Sequence, residues 1–379
     1  MTGPLVPAPT TAVAVARAAG PDLLRQLASA VDLLPALPPP DPDDRYHARN
    51  LTVLWLRQLG ETSRRSYYQA LASWLGWCAD HRVDPLAARR ADKDGWQADM
   101  TARRRGPGNT TTTVPPAAAT VAKRLACVSS WYRYLADNDL DVRNPALGGR
   151  RPTPPARSPL PALAGDETVR FLAWLRARAE RLGSEAAWRD TALIYLLFAT
   201  GLRVSAACTA TFDHLVVESG HRVLRYRRKS RTADDWDFVP LTPQLLDVLH
   251  RYWTVRSRRV GAASGRAVTV DQLTGPLFVS TPHPHQPDRD GDRPVGQKHV
   301  QRRLRTLARQ AGLDVAATIT PHSTRRTATT LLLAAGVPIR RVQDLLGHTS
   351  LTTTARYDDN RHLLDTSPVW PLAELIDLG

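Results

Sequence analysis

The chain has 379 residues, more than one compact core ordinarily holds, and its 42% hydrophobic and 23% charged composition excludes a wholly disordered protein. The 51 Lys and Arg against 36 Asp and Glu leave a net charge of +15, which points to a polyanionic partner. Cys78, Cys127 and Cys208 stand far apart, which excludes a disulfide framework or a zinc knuckle, and no run of about 18 apolar residues is present to cross a membrane.

Residues 1–48 are rich in Ala and Pro, lack the basic start and apolar run of an export signal, and carry a net charge of −2. They read as a flexible tail with one short amphipathic stretch around Leu23–Leu34, on a protein expected in a reducing cytoplasm. Residues 49–144 read as a helical domain. Leu51, Leu54, Leu56 and Leu59 begin a helical period, and Thr62 or Ser63 can cap the stretch RRSYYQALASWLGWCADH. In ATVAKRLACVSSWYRYLADN the residues Val121, Leu125, Val128, Trp131, Tyr132 and Leu135 share an apolar face and leave Lys123 and Arg124 elsewhere.

The proline density of residues 145–161 predicts an extended linker. Residues 49–157 carry +9 and residues 158–379 carry +8, so both expected domains are basic, as a clamp gripping phosphates from two sides requires. Beyond the linker, RDTALIYLLFATGLR is apolar on almost every side, predicting a buried helix that ends near Gly201 and delivers Arg203. HRVLRYRRKSRTADDWDFVPL reads as a β-hairpin around a polar turn near Ser230–Asp235, with Arg227, Arg228, Lys229 and Arg231 beside the turn. STPHPHQPDRDGDRP holds His283 and His285 with Asp288, Asp290 and Asp292, but without a helical second pair of ligands it reads as a loop rather than a metal site.

Pro321 opens and Gly336 closes a helix whose first turn places His322 and Arg325, three apart, on one face at an anion-attracting N-terminus. PIRRVQDLLGH then carries Ile339, Val342, Leu345 and Leu346 at core spacing, with Gly347 breaking the helix before His348. In TSLTTTARYDDN, Thr349 or Ser350 can cap a short helix bearing Tyr357, nine residues after His348.

These pieces, ATGLR, HSTRR, LLGH and TTTARY in that order and spacing, resemble the tyrosine recombinase, or phage integrase, family. TSRRSYYQALASWLGWC, TVAKRLACVSSWYRYL and NPA are similar to its core-binding helices and linker, so the resemblance spans roughly residues 49–365. It implies a mainly α fold with a small β-sheet (α+β): a helical core-binding domain followed by a mixed integrase-type catalytic domain at residues 162–366, the two forming a C-shaped clamp. It further implies that Arg203, His322, Arg325 and His348 surround a scissile phosphate, that Tyr357 attacks it, and that Lys229 protonates the leaving 5′-hydroxyl. Physical chemistry fits this set, because two guanidiniums can neutralise phosphoryl oxygens without a metal, and nearby cations with a proton acceptor help a phenol ionise.

The partner so implied is double-stranded DNA, contacted through Arg64, Arg65, Thr120, Lys123, Arg124, Arg227, Arg228 and Arg231, with four protomers in the synaptic complex and no cofactor or metal. Residues 367–379 are suited to docking on a neighbouring protomer. The chain departs from the family pattern at Ala206, where an acidic residue is usual three after the first arginine and which Asp190 could replace, and at Thr324 and Arg326, which flank the second arginine. Type IB topoisomerase-like strand transfer and DNA binding without catalysis are the alternatives.

Overall fold

The computed structural model describes residues 21–41, 43–105, 111–148, 161–227, 236–280 and 292–347. The chain divides into two compact units, Met1–Pro154 and Pro155–Gly379.

In the first unit, α1 (Pro21–Asp32), α2 (Ala48–Gln58), α3 (Glu61–Asp80), α4 (Arg90–Asp99) and α5 (Ala118–Ala136) enclose a core rich in indoles. Trp55, Trp74 and Trp131 are essentially inaccessible. Burying an indole strands a polar N–H unless it finds a partner. Trp131 donates to Thr52 Oγ1 at 2.9 Å and Trp74 to the Tyr132 hydroxyl at 3.0 Å, which in turn donates to the Pro85 carbonyl at 2.6 Å. The six residues of α5 expected on one apolar face are all buried.

Two expectations for this unit need correction. Residues 21–37 are not part of a flexible tail: Leu27, Ala30, Val31, Leu34 and Leu37 join the core, and Arg49 donates to the carbonyls of Val31, Leu37 and Pro38. A helix this short is marginal alone, and its order comes from the face it buries. The unit is also not purely helical, since β1 (Ala102–Arg105) pairs antiparallel with β2 (Thr111–Val114), a run of β-branched residues. In addition, α3 begins at Glu61 with Gly60 as its cap, ahead of the expected Thr62 or Ser63.

The second unit is built on α7 (Glu185–Thr200), which is buried on both sides. Leu193, Leu196 and Leu197 enter one core with α9 (Pro243–Ser264) and the sheet, while Ile194 and Phe198 enter another with α6 (Gly165–Leu182) and α10 (Gln297–Gln310). The sheet is antiparallel in the order β3 (Leu215–Glu218), β4 (His221–Arg227), β5 (Trp236–Pro240), so the expected hairpin gains a third strand. After α7 comes the short α8 (Val204–Thr209), and α11 (Pro321–Ala334) and α12 (Ile339–Leu346) complete the unit. No described helix is long and apolar enough to cross a membrane.

Candidate active site

Each element that carries a candidate residue stops where its sequence dictates. Helix α7 ends at Gly201, which is left-handed at φ 63° and donates its N–H to the Leu197 carbonyl at 3.1 Å. Arg203 follows as the cap residue of α8 and is half-buried. Helix α11 is started by a reciprocal cap, in which Ser323 N–H donates to Thr320 Oγ1 and Thr320 N–H to Ser323 Oγ at 3.1 Å, with Pro321 in the first turn. That cap sets His322 at the mouth of the helix and Arg325 one turn in. Thr327 Oγ1 accepts from the Leu163 N–H at 2.9 Å and so ties the start of the unit to α11.

Arg325 is buried, and its guanidinium joins the ends of two other helices. One nitrogen donates to the Gly201 carbonyl at 2.8 Å, and the other to the carbonyl of Leu346, the last residue of α12. Three segments far apart in sequence thus meet on one side chain: the turn that bears Arg203, the helix that bears His322, and the residue two before His348. Gly201 permits this closure. A Cβ there would come within 2.9 Å of Leu346 Cδ2, in addition to the left-handed backbone.

His322 is exposed at the mouth of α11. Its pKa lies below the ordinary imidazole value, first through partial loss of solvent and then through the positive charges of Arg325 and Arg203. Both guanidiniums therefore act electrostatically on one imidazole, which stays neutral and able to accept a proton at neutral pH. The Arg203 guanidinium makes no hydrogen bond or ion pair among the described residues. Ala206 gives only its backbone N–H, to the Arg203 carbonyl at 2.9 Å.

Asp190 does not stand in for the missing carboxylate. It is buried and accepts from Arg189 at 2.7 Å through Oδ1 and from Arg303 at 2.6 Å through Oδ2. Arg189 also donates to the Val279 carbonyl and lies 3.0 Å from His299 Nε2. This is a brace between α7 and α10, remote in partners from Arg203. Thr324 and Arg326 are both buried, and Thr324 donates back to the Pro321 carbonyl at 2.9 Å.

Of the expected DNA contacts, Arg64 must be withdrawn. It is 7% exposed and donates to the carbonyls of Leu56 and Leu59 at 3.1 and 2.9 Å, closing the C-terminal end of α2. Arg65, Thr120, Lys123 and Arg227 are exposed. Arg124 is half-buried and donates to the Thr101 carbonyl at 3.3 Å, tying α5 to the start of β1. Lys229, Arg228, Arg231, His348 and Tyr357 lie outside the described residues, as do residues 1–20, the His283–His285 loop, most of the linker and residues 367–379. Among the described residues there is no cluster of His, Cys, Asp and Glu that could hold a metal. Sequence reading missed the anchoring carbonyls of Gly201 and Leu346, for which the available signal was a helix-ending glycine beside each, Gly201 two residues before Arg203 and Gly347 directly before His348.

Residues 162–362 match the Phage integrase family. Tyrosine recombinase XerC of Mycobacterium bovis (strain BCG / Pasteur 1173P2) is 32% identical over 300 residues, covering 78% of this chain and 87% of that protein. Tyrosine recombinase XerD of Pseudomonas putida is 30% identical over 311 residues, covering 81% and 90%. The fold is similar to that of the XerH site-specific recombinase bound to palindromic difH substrate, with a TM-score of 0.59 at 14% identity over 92% of this chain and 96% of that one. It is also similar to the Tn1549 transposon integrase in complex with circular intermediate DNA, with a TM-score of 0.54 at 16% identity over 86% and 97%. With a catalytic half that matches the family and relatives that match along both units, the chain belongs to the phage integrase family of tyrosine recombinases.

Proposed function

We propose that this recombinase cuts and rejoins double-stranded DNA at specific sites through a 3′-phosphotyrosyl intermediate, without metal or ATP. The observation that carries the reading is the convergence on Arg325, where two guanidiniums and a neutral imidazole gather at the mouth of α11. Arg203 and Arg325 neutralise the non-bridging oxygens of the phosphate as charge builds there. Tyr357 Oη attacks phosphorus and its proton passes to His322, while the bond from phosphorus to the 5′-oxygen breaks and Lys229 protonates that oxygen. His348 adds a hydrogen bond to the same phosphate. The phosphodiester is exchanged rather than hydrolysed, so a 5′-hydroxyl from a second duplex reverses the step and completes strand exchange. Four protomers on two sites, exchanging strands through a Holliday junction, accommodate two such exchanges, with residues 367–379 docking between neighbours.

The test begins with covalent adducts trapped on genomic DNA, whose sequencing supplies the target site. A nicked suicide duplex built on that site should give an SDS-resistant protein–DNA adduct with the intact chain and none with Tyr357→Phe. Site-specific binding without an adduct would sink the catalytic reading and leave a DNA-binding protein of the same fold. Ala206 favours this second reading to one degree: among the described residues Arg203 has no carboxylate to brace it. Ala206→Glu should therefore raise the rate of adduct formation.

A further inference from the structure

The face of the β3–β5 sheet turned away from the core carries a feature that the proposed chemistry does not use. Leu224 and Tyr226 enter the core. Strand alternation puts Arg225 and Arg227 on the other face, where the register sets Arg225 opposite Phe238 and Arg227 opposite Trp236. Both guanidiniums lie over the Trp236 ring, Arg225 at 4.8 Å and Arg227 at 4.6 Å from its centroid. His214 sits against the same indole at 4.9 Å. Phe238 beside them is 45% exposed, so the surface opens to solvent.

Two like charges on one indole favour an anion between them, and no carboxylate among the described residues pairs with either. Neither guanidinium makes an ion pair or a hydrogen bond among them. Asp237, between Trp236 and Phe238 in sequence, falls on the opposite face by alternation. The pKa of His214 lies below its ordinary value, first through burial and next through Arg225, while Asp213 acts in the opposite sense and Arg227 adds to the lowering. The positive field of the pair is thus felt by its neighbour. A guanidinium seated over an indole still has N–H groups to offer an acceptor.

We propose that Arg225, Trp236 and Arg227 form a clamp for a DNA backbone phosphate, with Trp236 as the positioning residue that holds both guanidiniums at one anion. The inference rests on the DNA reading above and adds Arg225 and Trp236 to it.

The experiment uses the full chain and a short fluorescein-labelled DNA duplex of arbitrary sequence, with Kd measured over a series of KCl concentrations. Arg225→Ala and Arg227→Ala should each weaken binding and reduce the slope of log Kd against log salt by up to about 0.9, the value for one phosphate contact. Trp236→Ala should lower affinity as the arginine variants do, and Trp236→Phe, which keeps an aromatic face, should restore it. If both arginine variants fold, by circular dichroism melts, and keep the slope of the unaltered chain, the clamp is overturned. A Trp236→Ala variant that loses thermal stability while its slope stays unchanged assigns the indole a packing role only and overturns its positioning role. Failure of the unaltered chain to bind the duplex would instead sink the DNA reading itself.

Discussion

Arg64 and Arg65 are adjacent and chemically identical, yet one is part of the fold and the other faces solvent. Arg64→Ala should destabilise the first unit by about 1–3 kcal/mol, because the carbonyls of Leu56 and Leu59 lose their donor. The salt dependence of DNA binding should be unchanged in that variant, whereas Arg65→Ala should shift it and leave the melting temperature in place. His322 makes a second prediction at this scale. Its pKa is held below the ordinary imidazole value, so adduct formation should fall only as pH drops below about 6.5 and His322 protonates. Replacing Arg203 by Ala removes one positive charge and should move the acid limb of the pH profile upward; a limb that stays put would remove His322 from the role of proton acceptor. Gly201→Ala combines a left-handed backbone with the 2.9 Å approach to Leu346. It should slow adduct formation by displacing the carbonyl that Arg325 grips, at a stability cost of about 1–3 kcal/mol.

Helix ends, more than helix faces, decide how the catalytic unit is assembled. The periodicities that predicted α5, α7, α11 and α12 survive in the structure because each rests on a local rule: an apolar stripe, a proline at the start, a glycine at the end. What a one-dimensional pattern does not carry is the choice of partner. Asp190 was legible as an acid near Arg203 in sequence, but its helical position faces α10, where Arg303 reaches it across 113 residues. The β1–β2 pair was hidden in a stretch read as part of a helical domain, and the amphipathic stretch around Leu23–Leu34 showed α1 but not its docking on the core, since each is ordered only by what it packs or pairs with. Asp190→Asn should cost about 3–5 kcal/mol in denaturant unfolding, because it removes the buried negative charge that Arg189 and Arg303 share. Ala206→Glu, on α8 and partly buried against the core, should cost less stability than Asp190→Asn, because no buried ion pair is broken there.

At the scale of the whole molecule, +15 is unevenly placed, with the excess on the two units and not on the first 48 residues. Deleting residues 1–20 should therefore leave DNA affinity at fixed salt unchanged, and removal of residues 21–37 should unfold the first unit by stripping Leu27, Val31 and Leu34 from its core. The side chain of Arg325 reaches a carbonyl 124 residues earlier and another 21 residues later. A nascent polypeptide on the ribosome has neither grip complete until Leu346 has emerged. Every shorter chain lacks the assembled cationic centre, which is therefore among the last features of the second unit to be completed during synthesis.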